Sequence, residues 1–247
     1  MNDYQKLYDM IDKRKSVRSY TGIPVEASVL EEIKAFMQTM RPLYEDIIVK
    51  AEIVDKAHVK CIFPWVTPQV VAIFTEDKEG ALENVGFLYQ QLDLYLQSIG
   101  LGTCWLGMGR LGNEDIAAAL QKDGLQFVMM LAFGYPKDEQ LRKDKTEFKR
   151  KSLQEISDKA DECLEPARLA PSSVNSQPWY FVHDGDLIHA YCVQKGLLKV
   201  KMMSDMNRID MGIALAHLYV SSHDTFRFIK TDAPTIKGYG YIGSFGI

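Results

Sequence analysis

The stretch 81–99 constrains this chain more than any other. Leu82, Val85, Gly86, Leu88, Tyr89, Leu92, Leu96 and Ile99 recur at helical spacing and form a broad apolar stripe. The spacing predicts a central, largely buried helix, ended by Gly100. A chain of 247 residues can bury such a helix in one large domain or two small ones.

Around that helix the pattern alternates. Tyr4, Leu7, Tyr8 and Ile11 give an N-terminal helix, and residues 25–40 a second. Residues 47–54, 69–74, 103–106 and 125–133 read as strands. Pro64 and Pro68 bracket a turn, and Asn113 is placed to cap a helix at 114–120. Residues 137–151 are charged and free of glycine, as in a linker. The order then repeats in shorter form. A helix over 153–169 precedes two strands, 179–183 and 187–193, around Asp184-Gly185-Asp186. A helix over 206–221 and strands at 226–229 and 235–242 complete the chain. Lys13-Arg14-Lys15-Ser16 recurs as Lys149-Arg150-Lys151-Ser152. The expectation is an α+β fold.

Charge and composition exclude several classes. The net charge of −4 does not suit a general nucleic-acid binder. The basic clusters at 13–18 and 142–151 suit either a solvated face or a small phosphate. No apolar run is long enough to cross a bilayer, and Met1-Asn2-Asp3-Tyr4 opens no signal-peptide core. Cys61, Cys104, Cys163 and Cys192 show no paired spacing, so reduced thiols in a cytoplasmic protein are expected. The five histidines are scattered, and no metal site is expected.

Two stretches invite a ligand. Gly107-Met108-Gly109-Arg110-Leu111-Gly112 fits the dinucleotide fingerprint. The acid that should end the next strand is missing, because that strand ends Phe133-Gly134-Tyr135-Pro136. A Rossmann site is therefore not expected; these glycines suit a tight turn or close approach to another planar ligand. The second stretch is Ala170-Pro171-Ser172-Ser173-Val174-Asn175-Ser176-Gln177-Pro178-Trp179. Pro171 ends the preceding helix, and short polar side chains crowd the loop that follows.

That loop resembles the flavin loop of the FMN-dependent nitroreductase family. Arg14-Lys15-Ser16-Val17-Arg18-Ser19-Tyr20, 99–107 around Gly100-Leu101-Gly102, and 131–136 resemble further family elements. Together they span most of the chain, but their order departs from that of a simple member. In the family, the flavin lies at a dimer interface. One subunit supplies the basic segment and the strand after Gly-Leu-Gly, and the other supplies the Pro-Ser-Xaa-Xaa-Asn loop. Here the first half carries the former but has Arg41-Pro42-Leu43-Tyr44-Glu45 where its loop should stand. The second half carries the loop and lacks the rest.

The resemblance implies a nitroreductase-like intrachain pseudo-dimer of two degenerate halves, 1–150 and 151–247. It implies a monomer with one FMN, with NADH or NADPH as transient electron donor. A small-molecule acceptor such as a nitroaromatic or quinone would then be reduced. A flavin carrier or sensor without turnover, or chemistry such as reductive dehalogenation, is the alternative. The implied FMN contacts are Arg14, Lys15, Ser16, Arg18, Leu106, Gly107, Met108, Lys149, Arg150, Pro171, Ser172, Ser173, Asn175 and Gln177. No side chain stands out as a general acid or base, as expected where a cofactor carries the chemistry. Cys104, Trp105 and Trp179 are assigned to core packing. Arg14→Ala and Asn175→Ala are each expected to weaken FMN binding while leaving the fold intact.

Overall fold

Two long helices cross at the centre of the computed structural model, which describes residues 3–61, 67–112, 123–138, 141–194 and 201–247. Before the charged stretch, the elements are α1 (Asp3–Ile11), α2 (Ala27–Met37), β1 (Val49–Asp55), β2 (Val59–Cys61), β3 (Gln69–Thr75), α3 (Ala81–Ser98), β4 (Gly102–Leu106), β5 (Gly109–Leu111) and β6 (Gln126–Gly134). After it come α4 (Leu153–Ile156), α5 (Glu165–Leu169), β7 (Trp179–Asp184), β8 (Leu187–Val193), α6 (Lys201–Ser221), β9 (Arg227–Ile229) and β10 (Tyr239–Gly246).

The central helix expected from the stripe is α3, and even its Asn84, Gln90, Gln91, Asp93 and Gln97 are buried. It crosses α6 at two glycines. A Cβ on Gly86 would lie 2.0 Å from the Ile209 carbonyl oxygen. A Cβ on Gly212 would lie 1.9 Å from that of Glu83. The backbones touch there, which a side chain on either helix would prevent. The contact is reciprocal, since each glycine faces the residue three positions before the other. Leu92, Leu94, Leu215 and Leu218 are fully buried on these helices. Burying a side chain of this size contributes about 1.5–3 kcal/mol.

Two antiparallel sheets share one plan. The first has the order β1-β3-β6-β4 and the second β7-β8-β10-β9. In each, the long helix joins the second strand in sequence to the third, and the fourth inserts between them. β2 and β5 form a separate ribbon. That ribbon takes up the fingerprint glycines: Gly109 pairs with Cys61, and Gly112 N donates to His58 O at 2.7 Å.

Three expectations need correction. Residues 153–169 are not one helix. Ser157 is extended, with φ −151°, and bridges Phe181 of β7, so sheet pairing interrupts the helix. Asp158 then accepts from His183 N, and Asp161 from Cys163 N at 2.9 Å, which starts a new turn before α5. The final strand is Tyr239–Gly246 rather than 235–242, because Gly238, at φ 85°, turns the chain before pairing with β8 begins. α6 starts five residues before the expected 206. The expected helix at 114–120 lies outside the described residues, as does part of the turn at 64–68. Among the described residues no helix is long and apolar enough to cross a membrane.

Candidate functional site

A cavity of about 330 Å³ opens where segments from before and after the charged stretch meet. Ser16, Arg18, Cys104, Trp105, Gly107, Met108 and Met129 line it from one side. Pro171, Ser172, Ser173 and Val174 line it from the other, together with Met203, Met206, Ile209, Asp210 and Ile213 of α6.

The loop is built against its own backbone preference. Val174, Asn175 and Gln177 have φ of 47°, 58° and 48°. Each such residue costs about 1–2 kcal/mol in the left-handed region, so the surroundings must hold it. Ser172 Oγ accepts from Gln177 N at 2.9 Å, and Gln177 Oε1 accepts from Lys151 N at 2.7 Å. Asn175 Nδ2 donates to Lys149 O at 2.8 Å, and Arg150 donates to Asn175 Oδ1 at 2.6 Å. Arg150 Nε donates to Ala170 O at 3.0 Å. The second copy of the basic segment thus clamps the loop.

The expected site residues divide into two groups. Ser16, Arg18, Gly107, Met108, Pro171, Ser172 and Ser173 come together on the cavity wall. Arg14, Lys15, Leu106, Lys149, Arg150, Asn175 and Gln177 are not among the lining residues. Leu106 is buried, Lys15 N donates to Gln97 Oε1 at 3.0 Å, and Lys149 offers its carbonyl. Arg14 is 1 % exposed and donates to Asp93 Oδ2 at 2.9 Å, while its other end reaches Ser16 Oγ at 3.4 Å.

Asp93 organises the buried side of the site. Thr103 donates to it at 2.5 Å and Gln90 Nε2 at 3.0 Å. Gln90 Oε1 accepts from Trp105 Nε1 at 3.1 Å, which fixes the indole on the cavity wall. Gln90 also reaches His217 Nε2, whose Nδ1 donates to Pro166 O. Burial, reinforced by Arg14, pushes the His217 pKa down to about 3, so the ring is neutral.

Beside Ser16 lies a cluster of cations. Arg142 donates to Arg14 O and stacks on Phe148, with its guanidinium carbon 4.0 Å from the ring centroid. Burial, then Arg14, Arg142 and Arg168, push the Arg150 pKa down to about 10. Among the described ion pairs, neither Arg142 nor Arg150 has a carboxylate partner. Arg142 and Arg150 are half-buried, and like charges this close favour an anion beside them.

Several residues on this wall were not legible as site residues. Trp105 and Cys104, read as core, line the cavity, whereas Trp179 is buried in the core. Met206 and Asp210 carried no local signal, being single positions within a helical stripe. Arg142, which lies against Arg14 and not among the lining residues, had one, the basic run 142–151. The scattered histidines also hide a cluster. Asp161, Cys163 and His183 bring ligand-type atoms within 4.8 Å of one another. None of these three lines the cavity. Cys104, Cys163 and Cys192 are free thiols.

The model of a family described as "Putative TM nitroreductase" matches residues 6–222. The crystal structure of a putative nitroreductase from Thermotoga maritima MSB8 is similar, with a TM-score of 0.64 and 19 % identity. The match covers 99 % of this chain and 92 % of that one. A nitroreductase family protein from Clostridium difficile 630 matches over 63 % of this chain and 96 % of its own, at 16 % identity and a TM-score of 0.46. An FMN-dependent nitroreductase from Clostridium difficile R20291 matches over 59 % and 98 %, at 14 % identity and 0.43. No curated protein matches the chain.

Proposed function

The chain belongs to this nitroreductase family, and on that premise we propose that it is an FMN-dependent oxidoreductase that passes electrons from NADH or NADPH to a nitroaromatic or quinone-like acceptor. One observation carries the reading: the first basic segment and the Ser172-Ser173 loop, far apart in sequence, line one cavity. Its volume of about 330 Å³ is at the lower end of what small-molecule sites use, ~300–1,000 Å³.

The residues present suit FMN. Arg14 is already paired with Asp93, but Arg142 and Arg150 beside it have no carboxylate partner among the described residues, and a phosphate would supply that anion. Ser16, Ser172 and Ser173 offer mixed donors and acceptors to the polar edge of a ring. Gly107 is exposed on the cavity wall, and a side chain there would collide with Met206, whose Cε lies 2.5 Å from where its Cβ would stand. When bound, FMN supplies the two-electron chemistry, accepting hydride from the nicotinamide and giving it to the acceptor. The chain orients and shields. Arg18 and the serines fix polar edges, and Trp105, Met108, Met129 and Met206 keep water from the reacting face.

Residues 1–150 and 151–247 are read as the two halves of a pseudo-dimer within one chain. The shared strand order and the reciprocal glycines support this. Each half supplies what the other lacks, and the covalent link replaces association of two subunits. The expected particle is a monomer with one FMN. Mass analysis of the ligand extracted from purified protein tests the cofactor, and anaerobic mixing with NADH and then NADPH tests the donor. Bleaching of the flavin band with either supports the enzyme. A colourless protein that takes up no added FMN overturns the reading.

A further inference from the structure

The roles above leave one ionisable group of the cavity unused. Asp210 sits on α6 beneath the loop and is 4 % exposed. Both its oxygens face one donor, Ser173 N, at 3.1 and 3.0 Å, and Oδ2 lies 3.5 Å from Ser176 Oγ. Among the described residues it has no ion-pair partner. Burying an unpaired carboxylate is expensive, so such a group holds its proton to higher pH. Burial pushes the Asp210 pKa up to about 7, against the pull of the Ser173 and Ser176 hydrogen bonds.

The groups around it do not cancel this effect. The loop contributes the Ser173 amide and the Ser176 hydroxyl, neither of them charged. Across the cavity stand Arg18, its one lining cation among the described residues, and the Cys104 thiol. β8 contributes the Cys192 thiol, pushed up to about 12 by burial, then by Glu83 and Asp210. On its own helix, Arg208 is committed to Glu83 at 2.7 Å. Asn84 occupies the comparable place on α3 and caps Leu43 N and Tyr44 N with a neutral amide. Capping a loop here therefore does not require a carboxylate, and the acidity of Asp210 is an additional property.

We propose that Asp210 is the proton-exchanging residue of this cavity, binding a proton when the occupant gains negative charge and releasing it when that charge leaves. The proposal rests on the reading that the occupant is FMN. Hydride from a reduced nicotinamide would bring two electrons and one proton to a bound flavin, and with them one net negative charge. Asp210, within the same small cavity, takes a second proton from water and becomes neutral. When hydride passes to a quinone, the Asp210 proton goes with it, completing the hydroquinone and restoring the carboxylate. Atoms and charge balance over the cycle, with the nicotinamide oxidised and the quinone reduced.

The test is a reduced-minus-oxidised infrared difference spectrum of the FMN-loaded protein at pH 8. A protonated-carboxyl C=O stretch should rise on reduction in the wild type and be missing in Asp210→Asn. The flavin midpoint potential gives a second readout. Above pH 7 the wild type should shift by a further tenfold in equilibrium constant per pH unit, about 30 mV for two electrons, and Asp210→Asn should lose that increment. No band in the wild type overturns the proposal, whether or not the variant folds. A band that persists in Asp210→Asn overturns it equally. Failure to load FMN is seen earlier and defeats the cofactor reading instead.

Discussion

Residues 41–45 and 171–177 cross the two central helices in comparable ways and end in opposite states. Leu43 N and Tyr44 N donate to Asn84 Oδ1 at 2.8 and 3.1 Å, as Ser173 N donates to Asp210. Under the first loop Gly80 caps the start of α3, and the Tyr44 ring fills the space. A Cβ on Gly80 would lie 2.8 Å from that ring, which also packs edge-on against Phe228 with centroids 5.5 Å apart. Among the described residues the Tyr44 hydroxyl is buried without a hydrogen-bond partner, and burial pushes its pKa upward. Under the second loop α6 carries Met206 instead, and Ser173 is small, with Oγ 3.3 Å from the thioether sulfur. One scaffold thus carries a plug and a cavity. A tyrosine stands at the first loop and a serine at the second.

The largest way to break this comparison is to break the scaffold. Gly212→Val would drive a side chain into the Glu83 carbonyl, and little soluble folded protein is expected. Expression and circular dichroism check this. Arg14→Ala comes next, and the structure changes what it should do. Because Arg14 is the buried partner of Asp93, the variant should lose about 3–5 kcal/mol in chemical denaturation rather than keep its stability.

Asp210→Asn makes the second loop resemble the first. The folded pKa of Asp210 is raised to about 7, above the usual carboxylate value. Charging it therefore costs stability as pH rises from about 4 to 7, by about 1.4 kcal/mol per unit of displacement. The variant should be more stable than wild type at pH 8, with the advantage fading toward pH 4. Melting curves across that range decide. His217 has the opposite sign: its lowered pKa means stability is lost as pH falls below about 6.5.

Ser173→Tyr would plug the second site as Tyr44 plugs the first. FMN affinity should fall about 100-fold, or ~2.7 kcal/mol, with the fold retained. Tyr44→Ser should open space without creating a second FMN site, so two flavins per chain would contradict the comparison. The smallest effect is expected from Asn175→Ala. It acts by loosening the loop's tie to Lys149 and Arg150, and roughly tenfold weaker binding is expected from a lost charge-assisted hydrogen bond. Fluorescence titration measures both binding effects.

What the sequence revealed follows from range. α3 was legible because its stripe is local, and so was the turn at Gly185, whose φ is 57°. The loop at 170–178 was legible because Pro and Ser at those positions set local conformation. The break at Ser157 was hidden, since its cause is a bridge to Phe181, 24 positions away. Asp210 was hidden for the same reason: only the folded loop shows that this helical aspartate caps Ser173 and has no ion-pair partner among the described residues. Gly212 did carry a signal, as an isolated glycine inside a helical run, but its meaning depended on Glu83 across the crossing.

The glycine crossing also bears on how molecules reach the cavity. Where two backbones already touch, the helices have no slack to slide or tilt toward each other, and parting them would uncover the most deeply buried leucines. Traffic by a breathing motion of the whole scaffold is therefore costly. The cheaper doorway is made of side chains: Met108 is 37 % exposed, and Met206 abuts Gly107. Unbranched thioethers change rotamer readily. Exchange of small molecules should therefore be set by the swing of methionines at the rim, in a frame that stays still.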